Sequence, residues 1–343
     1  MKLLFFTRKI DVDDPRIGFV HEWVARLSHK VDRLYVLCLE AGKTDLPDNV
    51  EVVILGKGKL RRMLRFNKVM PGLVKNVDAV FCHMNPIYAI MSTPYTKLFN
   101  KRLVLWYTHG SVTNKLKIAT TLVDKILTAS PESFRIETKK KCVLGHGIDT
   151  ALFKPGGPPD KISILSVGRI SRVKGYETLI DALPSLLSKF PDLRLKIIGG
   201  VELSDEKAYL QQLRERASRL GIADKVYFEG GLHPSKLPDL YRSSSLFVSN
   251  SRTGSLDKVV LEAMASGTPV LTSNEAFSNI VGSLSSELMF KQDDPQDLAS
   301  KASYLLAMPL AERTALTTDL RAIVERNHDL NSLIDKILEE LKR

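Results

Sequence analysis

The chain has 343 residues, 44% hydrophobic and 26% charged, which excludes a disordered or fibrous chain and suits two α/β domains better than one. Its formal net charge is +11, and residues 1–152 hold all of it: 25 Lys and Arg against 14 Asp and Glu there, with 25 of each in the other 191 residues. An excess confined to one half points that half at a negatively charged partner: an anionic membrane surface, an acidic acceptor or nucleic acid.

Lys2 to Thr7 reads as a first buried strand. The apolar start at Met1 to Phe6 ends at Thr7-Arg8-Lys9, too short for a signal-peptide core or a membrane span, so the chain is expected to be cytoplasmic or attached to a membrane from one side only. A loop from Arg8 to Arg16 leads to Gly18 and a helix running to about His29. No G-x-G-x-x-G stands at this first turn, which disfavours an oxidoreductase with its dinucleotide bound there. Apolar runs at Leu34 to Leu39, Val50 to Leu55, Asp78 to Cys82, Leu103 to Trp106 and Lys125 to Thr128 alternate with helical segments, the pattern of a mostly parallel sheet covered on both faces. Cys38, Cys82 and Cys142 are odd in number and lack CxxC spacing, as expected of reduced, buried thiols.

Within this half, residues 52–77 contain Lys57, Lys59, Arg61, Arg62, Arg65, Lys68 and Lys75 and no acidic residue. In a helix Leu60, Met63 and Leu64 share a face at i, i+3, i+4 spacing. Such a basic amphipathic segment suits anionic lipid headgroups, and the competing expectation is a solvated helix packed on the sheet. Nucleic acid is not expected, because neither a recognition motif nor a series of stacking aromatics is present. After the strand ending at Trp106, Tyr107-Thr108-His109-Gly110 places a His just past the strand's carboxyl end, where side chains face a ligand crevice, although a lone His is more often structural. Gly145-His146-Gly147-Ile148-Asp149 is a tight turn, and the Pro/Gly cluster from Phe153 to Asp160 is the best linker in the chain.

A second doubly wound domain starts at Lys161 to Val167 and runs into Gly168-Arg169-Ile170-Ser171-Arg172-Val173-Lys174-Gly175, then a helix from Tyr176 to Lys189. Arg169 offers a planar fork and Lys174 a point charge, a pair suited to a diphosphate, with Arg172 either joining them or solvated. Strands are expected at Leu193 to Ile198, Val226 to Phe228, Leu246 to Val248, Val270 to Thr272 and Leu288 to Phe290. The stretch from Ser249 to Val270 reads as strand, small polar loop, helix, strand. Its helix N-terminus favours phosphate, and its Glu262 is placed to accept from a sugar diol.

Val167 to Gly175, Leu261 to Val270 and the Gly147-Ile148-Asp149 turn before Phe153-Lys154-Pro155 resemble glycosyltransferase family 4. The resemblance covers most of the chain and is strongest from about Ser166 to Ser273. It implies the α/β GT-B fold, two doubly wound Rossmann-like domains facing a central cleft. Residues 1–152 would bind the acceptor, 153–160 form the linker and 161–325 bind the nucleotide sugar, with 326–343 a helix packing back toward the N-terminal domain. It further implies a retaining, metal-independent transferase without a cofactor. Arg169 and Lys174 would hold the diphosphate and stabilise the leaving group, Glu262 would bind ribose, His109 would act at the reaction centre, and Gly168 and Gly18 would allow close approach to the donor.

One departure stands out. The family carries two Glu separated by seven residues, the first followed by Gly-Phe-Gly. Counting back from Glu262 places Gly254 where that first Glu belongs, followed by Ser255, Leu256 and Asp257. The backbone N–H groups from Ser255 to Lys258 remain suited to phosphate. Asp257 is expected to accept from a sugar hydroxyl or cap the helix, and Lys258 to add a phosphate ligand. The expectation is thus a retaining glycosyltransferase moving a sugar from a nucleotide-sugar donor to a lipid-linked, glycan or other membrane-proximal acceptor. Its alternative is a non-catalytic nucleotide-sugar or glycan-binding subunit of the same fold.

Overall fold

The computed structural model describes residues 1–343 except Pro15, Arg16, Pro158, Asp160, Glu202 and Thr253. The expected 8–16 loop, the 153–160 linker and the Ser249–Val270 stretch each include residues outside those described. The chain divides into two units, Met1–Gly147 with Leu330–Arg343, and Ile148–Asp329.

The first unit is a seven-stranded parallel sheet in the order β3-β2-β1-β4-β5-β6-β7, with β1 Lys2–Ile10, β2 Arg33–Ala41, β3 Val50–Ile54, β4 Ala79–His83, β5 Arg102–Trp106, β6 Lys125–Thr128 and β7 Lys141–Val143. Helices α1 (Gly18–Ser28), α2 (Lys59–Lys75), α3 (Pro86–Leu98) and α4 (Asn114–Leu122) connect the strands. Leu3 to Thr7 and all of β4 are buried, the continuous apolar runs that a sheet covered on both faces requires. The first strand extends three residues past its expected end, since Lys9 and Ile10 pair with Glu40 and Ala41 and Lys9 is neutralised by Asp11 and Asp14 at 2.8 and 2.7 Å.

Helix α2 turns Phe66, Met70 and Val74 to the core, at i, i+4, i+8. Leu60, Met63 and Leu64 do not pack on the sheet: they are 66%, 51% and 61% exposed. Lys57, Lys59, Arg61, Arg65 and Lys68 are exposed beside them, while Arg62 is half-buried and bonds Glu40 at 3.3 Å.

The second unit is a five-stranded parallel sheet in the order β10-β9-β8-β11-β12, with β8 Ser163–Val167, β9 Arg194–Ile198, β10 Val226–Phe228, β11 Leu246–Ser249 and β12 Val270–Thr272. Its helices are α5 (Tyr176–Leu187), α6 (Ser204–Arg219), α7 (Leu237–Arg242), α8 (Lys258–Ala265), the single turns α9 (Ser278–Val281) and α10 (Ser285–Leu288), α11 (Pro295–Ala307) and α12 (Leu310–Asn327). The strand expected at Leu288 to Phe290 is not one. Leu288 closes α10, and a single bridge from Met289 to Thr272 remains, because the preceding helical turn leaves too few extended residues to build a ladder. The terminal helix α13 (Leu330–Lys342) belongs to the first unit and buries Leu333, Ile334, Ile337 and Leu341. Arg26 bonds its Asn331 at 2.6 Å, and Arg102 bonds the Glu340 carbonyl at 2.7 Å.

In both sheets the strand order reverses beside the first strand, between β1 and β4 and between β8 and β11. Loops leaving the carboxyl ends of two such neighbouring strands diverge and open a crevice. In the second unit those loops are Gly168–Gly175 and Asn250–Asp257.

Candidate donor-binding site

Strand β8 hands over to the first of these loops at Gly168, whose φ is +155° and whose N–H bonds the Ile198 carbonyl at 2.9 Å. A Cβ at this position would stand 3.1 Å from Lys174 Cε and 3.2 Å from Tyr176 Oη, so glycine lets the loop fold back on itself. Tyr176, fully buried, donates from its hydroxyl to the Gly168 carbonyl at 2.6 Å. Gly175 (φ +57°) ends the loop in the left-handed region, and a Cβ there would meet Asn250 Nδ2 at 2.4 Å. Asn250 in turn donates to the Gly175 carbonyl, to Thr178 and to Asp293, at 3.2, 3.0 and 2.9 Å. The two loops are therefore stitched together before any ligand arrives.

This stitching brings Lys174 to the start of α8. Its Nζ donates to Asp257 Oδ1 at 3.1 Å and to Ser251 Oγ at 3.3 Å. Asp257 is buried and precedes α8 but does not cap it; its carboxylate takes Lys174, Ser249 Oγ (3.4 Å) and Asn274 Nδ2 (3.4 Å) instead. Of the two expected roles for Asp257, the helix cap is thus set aside, because the Lys174 ammonium competes for the same oxygens. The first turn of α8 holds no acidic residue, and the one carboxylate at its N-terminus, that of Asp257, is offset by Lys174. Gly254 has φ +59°, a left-handed conformation that disfavours any side chain at the place where the resemblance expects a carboxylate. Ser255 offers its carbonyl to Asn274 Nδ2 at 2.7 Å, and Leu256 is buried, which anchors the rest of the loop.

Glu262 lies one turn into α8 and is buried. It accepts from Tyr241 Oη at 3.0 Å and pairs with Lys258 at 3.4 Å. Burial pushes its carboxyl pKa up, with Lys258 and the Tyr241 hydroxyl opposing. Lys258 is thus committed to Glu262. Arg169 is half-exposed, and its Nε pairs with Glu206 at 3.1 Å, a buried carboxylate on α6. Arg172 turns away from the crevice: it bonds Gln212 at 2.7 Å and lies over the Tyr209 ring at 5.1 Å. Arg252 anchors the second loop through Glu177 and Asp293, at 3.0 and 2.8 Å.

Sequence reasoning missed Tyr241, Glu206, Asn274 and Ser251. Each lies in an element whose local pattern reports only helix or loop, and its role arises from strand order. Glu206 left one local trace, an acidic residue in the first turn of α6 that bonds the Leu203 N–H at 3.2 Å.

His109 and Gly18 belong to the first unit. His109 is exposed, and its Nδ1 accepts from the Ser111 N–H at 3.1 Å with Ser111 Oγ at 2.9 Å. An acceptor at Nδ1 puts the proton of the neutral ring on Nε2, leaving that edge a donor. Gly18 opens α1, where a Cβ would stand 3.1 Å from the Val12 carbonyl oxygen. His83, which closes β4 at the first sheet's reversal, is stacked on Phe5 and edged by Trp23, and burial pulls its pKa down to about 3, so it stays neutral.

Residues 148–321, just over half of the chain, match the family described as glycosyl transferases group 1. Among curated relatives, mannosylfructose-phosphate synthase of Agrobacterium fabrum is 43% identical over 110 residues, 32% of this chain and 24% of that protein. The lipopolysaccharide core biosynthesis mannosyltransferase LpsB of Rhizobium meliloti is 30% identical over 195 residues, 53% of this chain and 55% of that protein. The aligned stretches thus span about a quarter to about half of these relatives' lengths. Among solved structures, Anabaena HepE in complex with UDP and glucose superposes with TM-score 0.81 at 20% identity, covering 100% of this chain and 99% of that one. Sucrose-phosphate synthase from Thermosynechococcus elongatus gives 0.78 at 18% identity, covering 100% and 98%. Two parallel sheets with alternating helices and these superpositions establish the GT-B fold, and the chain belongs to the glycosyl transferases group 1 family.

Proposed function

We propose that the protein is a retaining glycosyltransferase that moves a hexosyl unit from a nucleotide sugar to a lipid-linked or other membrane-proximal glycan acceptor. The observation that carries this reading is the cluster at the β8/β11 reversal: Lys174 against the start of α8, with Glu262 one turn further along the same helix. A diphosphate seated there meets the Lys174 ammonium, the helix N-terminus and the nearby Arg169, while Glu262 accepts from the ribose. As the glycosidic bond breaks, negative charge builds on the departing diphosphate, and preorganised cations and dipoles stabilise it. With Gly254 in place of a first carboxylate, we assign front-face transfer, in which the leaving phosphate takes the proton of the acceptor hydroxyl as that oxygen bonds the anomeric carbon. From the resemblance we assign His109 a role at the reaction centre, with its Nε2 edge as the donor. The scheme uses no metal and no cofactor, so chelators leave turnover unchanged. Mannosyl transfer by LpsB and the UDP and glucose bound to HepE make nucleotide-diphosphate hexoses the first donors to try.

The membrane side of the proposal rests on α2. Leu60 and Leu64, one turn apart and exposed, lie beside Arg61, Arg65 and Lys68, the arrangement of a helix that lies in a headgroup layer. We place the protein peripherally on the cytoplasmic face, with its three thiols unoxidised. Each cation contributes about 1 kcal/mol near an anionic surface, so Arg61→Gln with Arg65→Gln should weaken binding to phosphatidylserine vesicles about thirtyfold. Equal co-sedimentation of variant and parent would remove the membrane from the proposal.

Thermal stabilisation by a panel of nucleotide sugars identifies the donor, and Arg169→Ala and Lys174→Ala should then each lower kcat about 10²- to 10³-fold. Normal turnover in both variants would sink the assignment. A second reading, a non-catalytic nucleotide-sugar-binding subunit, is favoured by the missing carboxylate at Gly254. It predicts stabilisation by the nucleotide sugar without release of nucleotide.

A further inference from the structure

The second unit has a cavity of about 240 Å³ below the amino ends of β11 and β12, on the edge of the sheet away from the donor loops. Pro155 and Gly156, the end of α7, the end of α8 and the first turns of α12 surround it. Arg242, Arg313 and Arg321 line it together with Ser266 and Thr317, and none of its described lining residues is acidic.

The three guanidinium groups are not equivalent. Arg321 is spent: it donates to the carbonyls of Phe153 and Thr150 at 2.9 and 3.1 Å and to that of Ala265, and it pairs with Glu325 at 2.7 Å. Arg242 pairs with Asp239, whose side chain is 75% exposed, so that its charge is only partly compensated within the protein. Arg313 donates to the Ser245 carbonyl and has no carboxylate partner among the described residues. Its pKa is lowered by burial. The Ser266 hydroxyl, on a residue 1% exposed, makes no hydrogen bond among the described residues. A buried hydroxyl left unpaired is destabilising, and so is a half-buried cation without a carboxylate partner. Arg313 and Ser266 both line the cavity, and a small oxyanion there would accept from a guanidinium fork and, once the Ser266 side chain turns toward it, from the hydroxyl.

We propose that this cavity binds a phosphate group, either inorganic phosphate or a phosphate monoester, held by Arg313 and Arg242 and hydrogen-bonded by Ser266. Occupancy would tie the Pro155–Gly156 segment and α12 to the end of α8, the helix that carries Glu262. Titration calorimetry and thermal shift on the full chain, with inorganic phosphate and with glycerol phosphate at matched ionic strength, test it. Both ligands should raise Tm; tighter binding of the ester assigns the site to a phosphorylated metabolite, and equal binding assigns it to free phosphate. Arg313→Gln should weaken phosphate at least tenfold. Ser266→Ala, which removes a hydroxyl with no partner among the described residues, should keep the ligand-free Tm yet weaken phosphate several-fold. Phosphate bound in the donor crevice would instead depend on Lys174 and not on Ser266 or Arg313. The proposal fails if phosphate does not bind at millimolar concentration, if Ser266→Ala binds it as the parent does, or if only Lys174→Ala loses it, since the anion would then occupy the donor crevice.

Discussion

Lys174 joins stability to catalysis, and a mutant cycle with Asp257 separates the two. Their side chains are 18% and 10% exposed and meet at 3.1 Å, so Lys174→Ala strands a buried carboxylate. Stranding one member of a buried pair costs about 3–5 kcal/mol; the residual exposure and the weak bonds from Ser249 and Asn274 place this case near 3 kcal/mol. In a unit of this size that is a fall in Tm of about 6–12 °C. Lys174→Ala with Asp257→Asn removes both charges, so most of the stability should return. Activity should not, because the cation that meets the departing diphosphate is still absent, and kcat should stay about 10²- to 10³-fold down. Asp257→Asn alone leaves Lys174 in place and should retain the larger share of kcat. Denaturant unfolding gives the coupling energy, and single-turnover kinetics give the chemical step. A double variant that recovers turnover along with stability would show that Lys174 matters only as a partner of Asp257, and the catalytic assignment would fall.

Three further outcomes follow from the same geometry. Gly254→Ala and Gly254→Glu should each lose about 1–2 kcal/mol, since both force a side chain into the left-handed region; an alanine variant as stable as the parent would contradict the φ of +59°. The folded pKa of Glu262 lies above its unfolded value, so the stability it contributes is fully present below the unfolded pKa and is lost as pH rises through the folded one. Glu262→Gln should therefore match or exceed the parent in Tm at pH 8, with the difference closing at pH 4, while losing donor affinity; a large loss of Tm at pH 8 would refute this. Burial pushes the thiols of Cys38 and Cys82 up to about 12 and leaves Cys142 half-buried, so a thiol reagent at pH 8 should modify Cys142 first, as peptide mapping would show.

Much of this protein is legible locally. Parallel strands buried on both faces must be continuous apolar runs, so β1, β4 and β5 stand out in the sequence, and glycines where the backbone turns left-handed, such as Gly175, mark the loops that close between them. The paired motifs around Lys174 and Glu262 carried the family before any coordinate did. The same local reading failed at Leu288 to Phe290, where apolar residues follow a helical turn and only pairing with β12 decides what they become. It also left open which face of α2 is buried, because Leu60, Met63 and Leu64 satisfy helical spacing as well as Phe66, Met70 and Val74 do, and only contact with the sheet distinguishes them. The partners of the cations lay beyond sequence altogether. Glu206 reaches Arg169 from α6, Asp257 reaches Lys174 across two loops, and Tyr241 reaches Glu262 from α7. Sequence by itself determined where the charged groups and glycines stand along the chain, because backbone conformation and burial pattern are local demands on residue type. Tertiary structure alone decided which charge meets which carboxylate, because the reversal of strand order between β8 and β11 brings together side chains 83 residues apart.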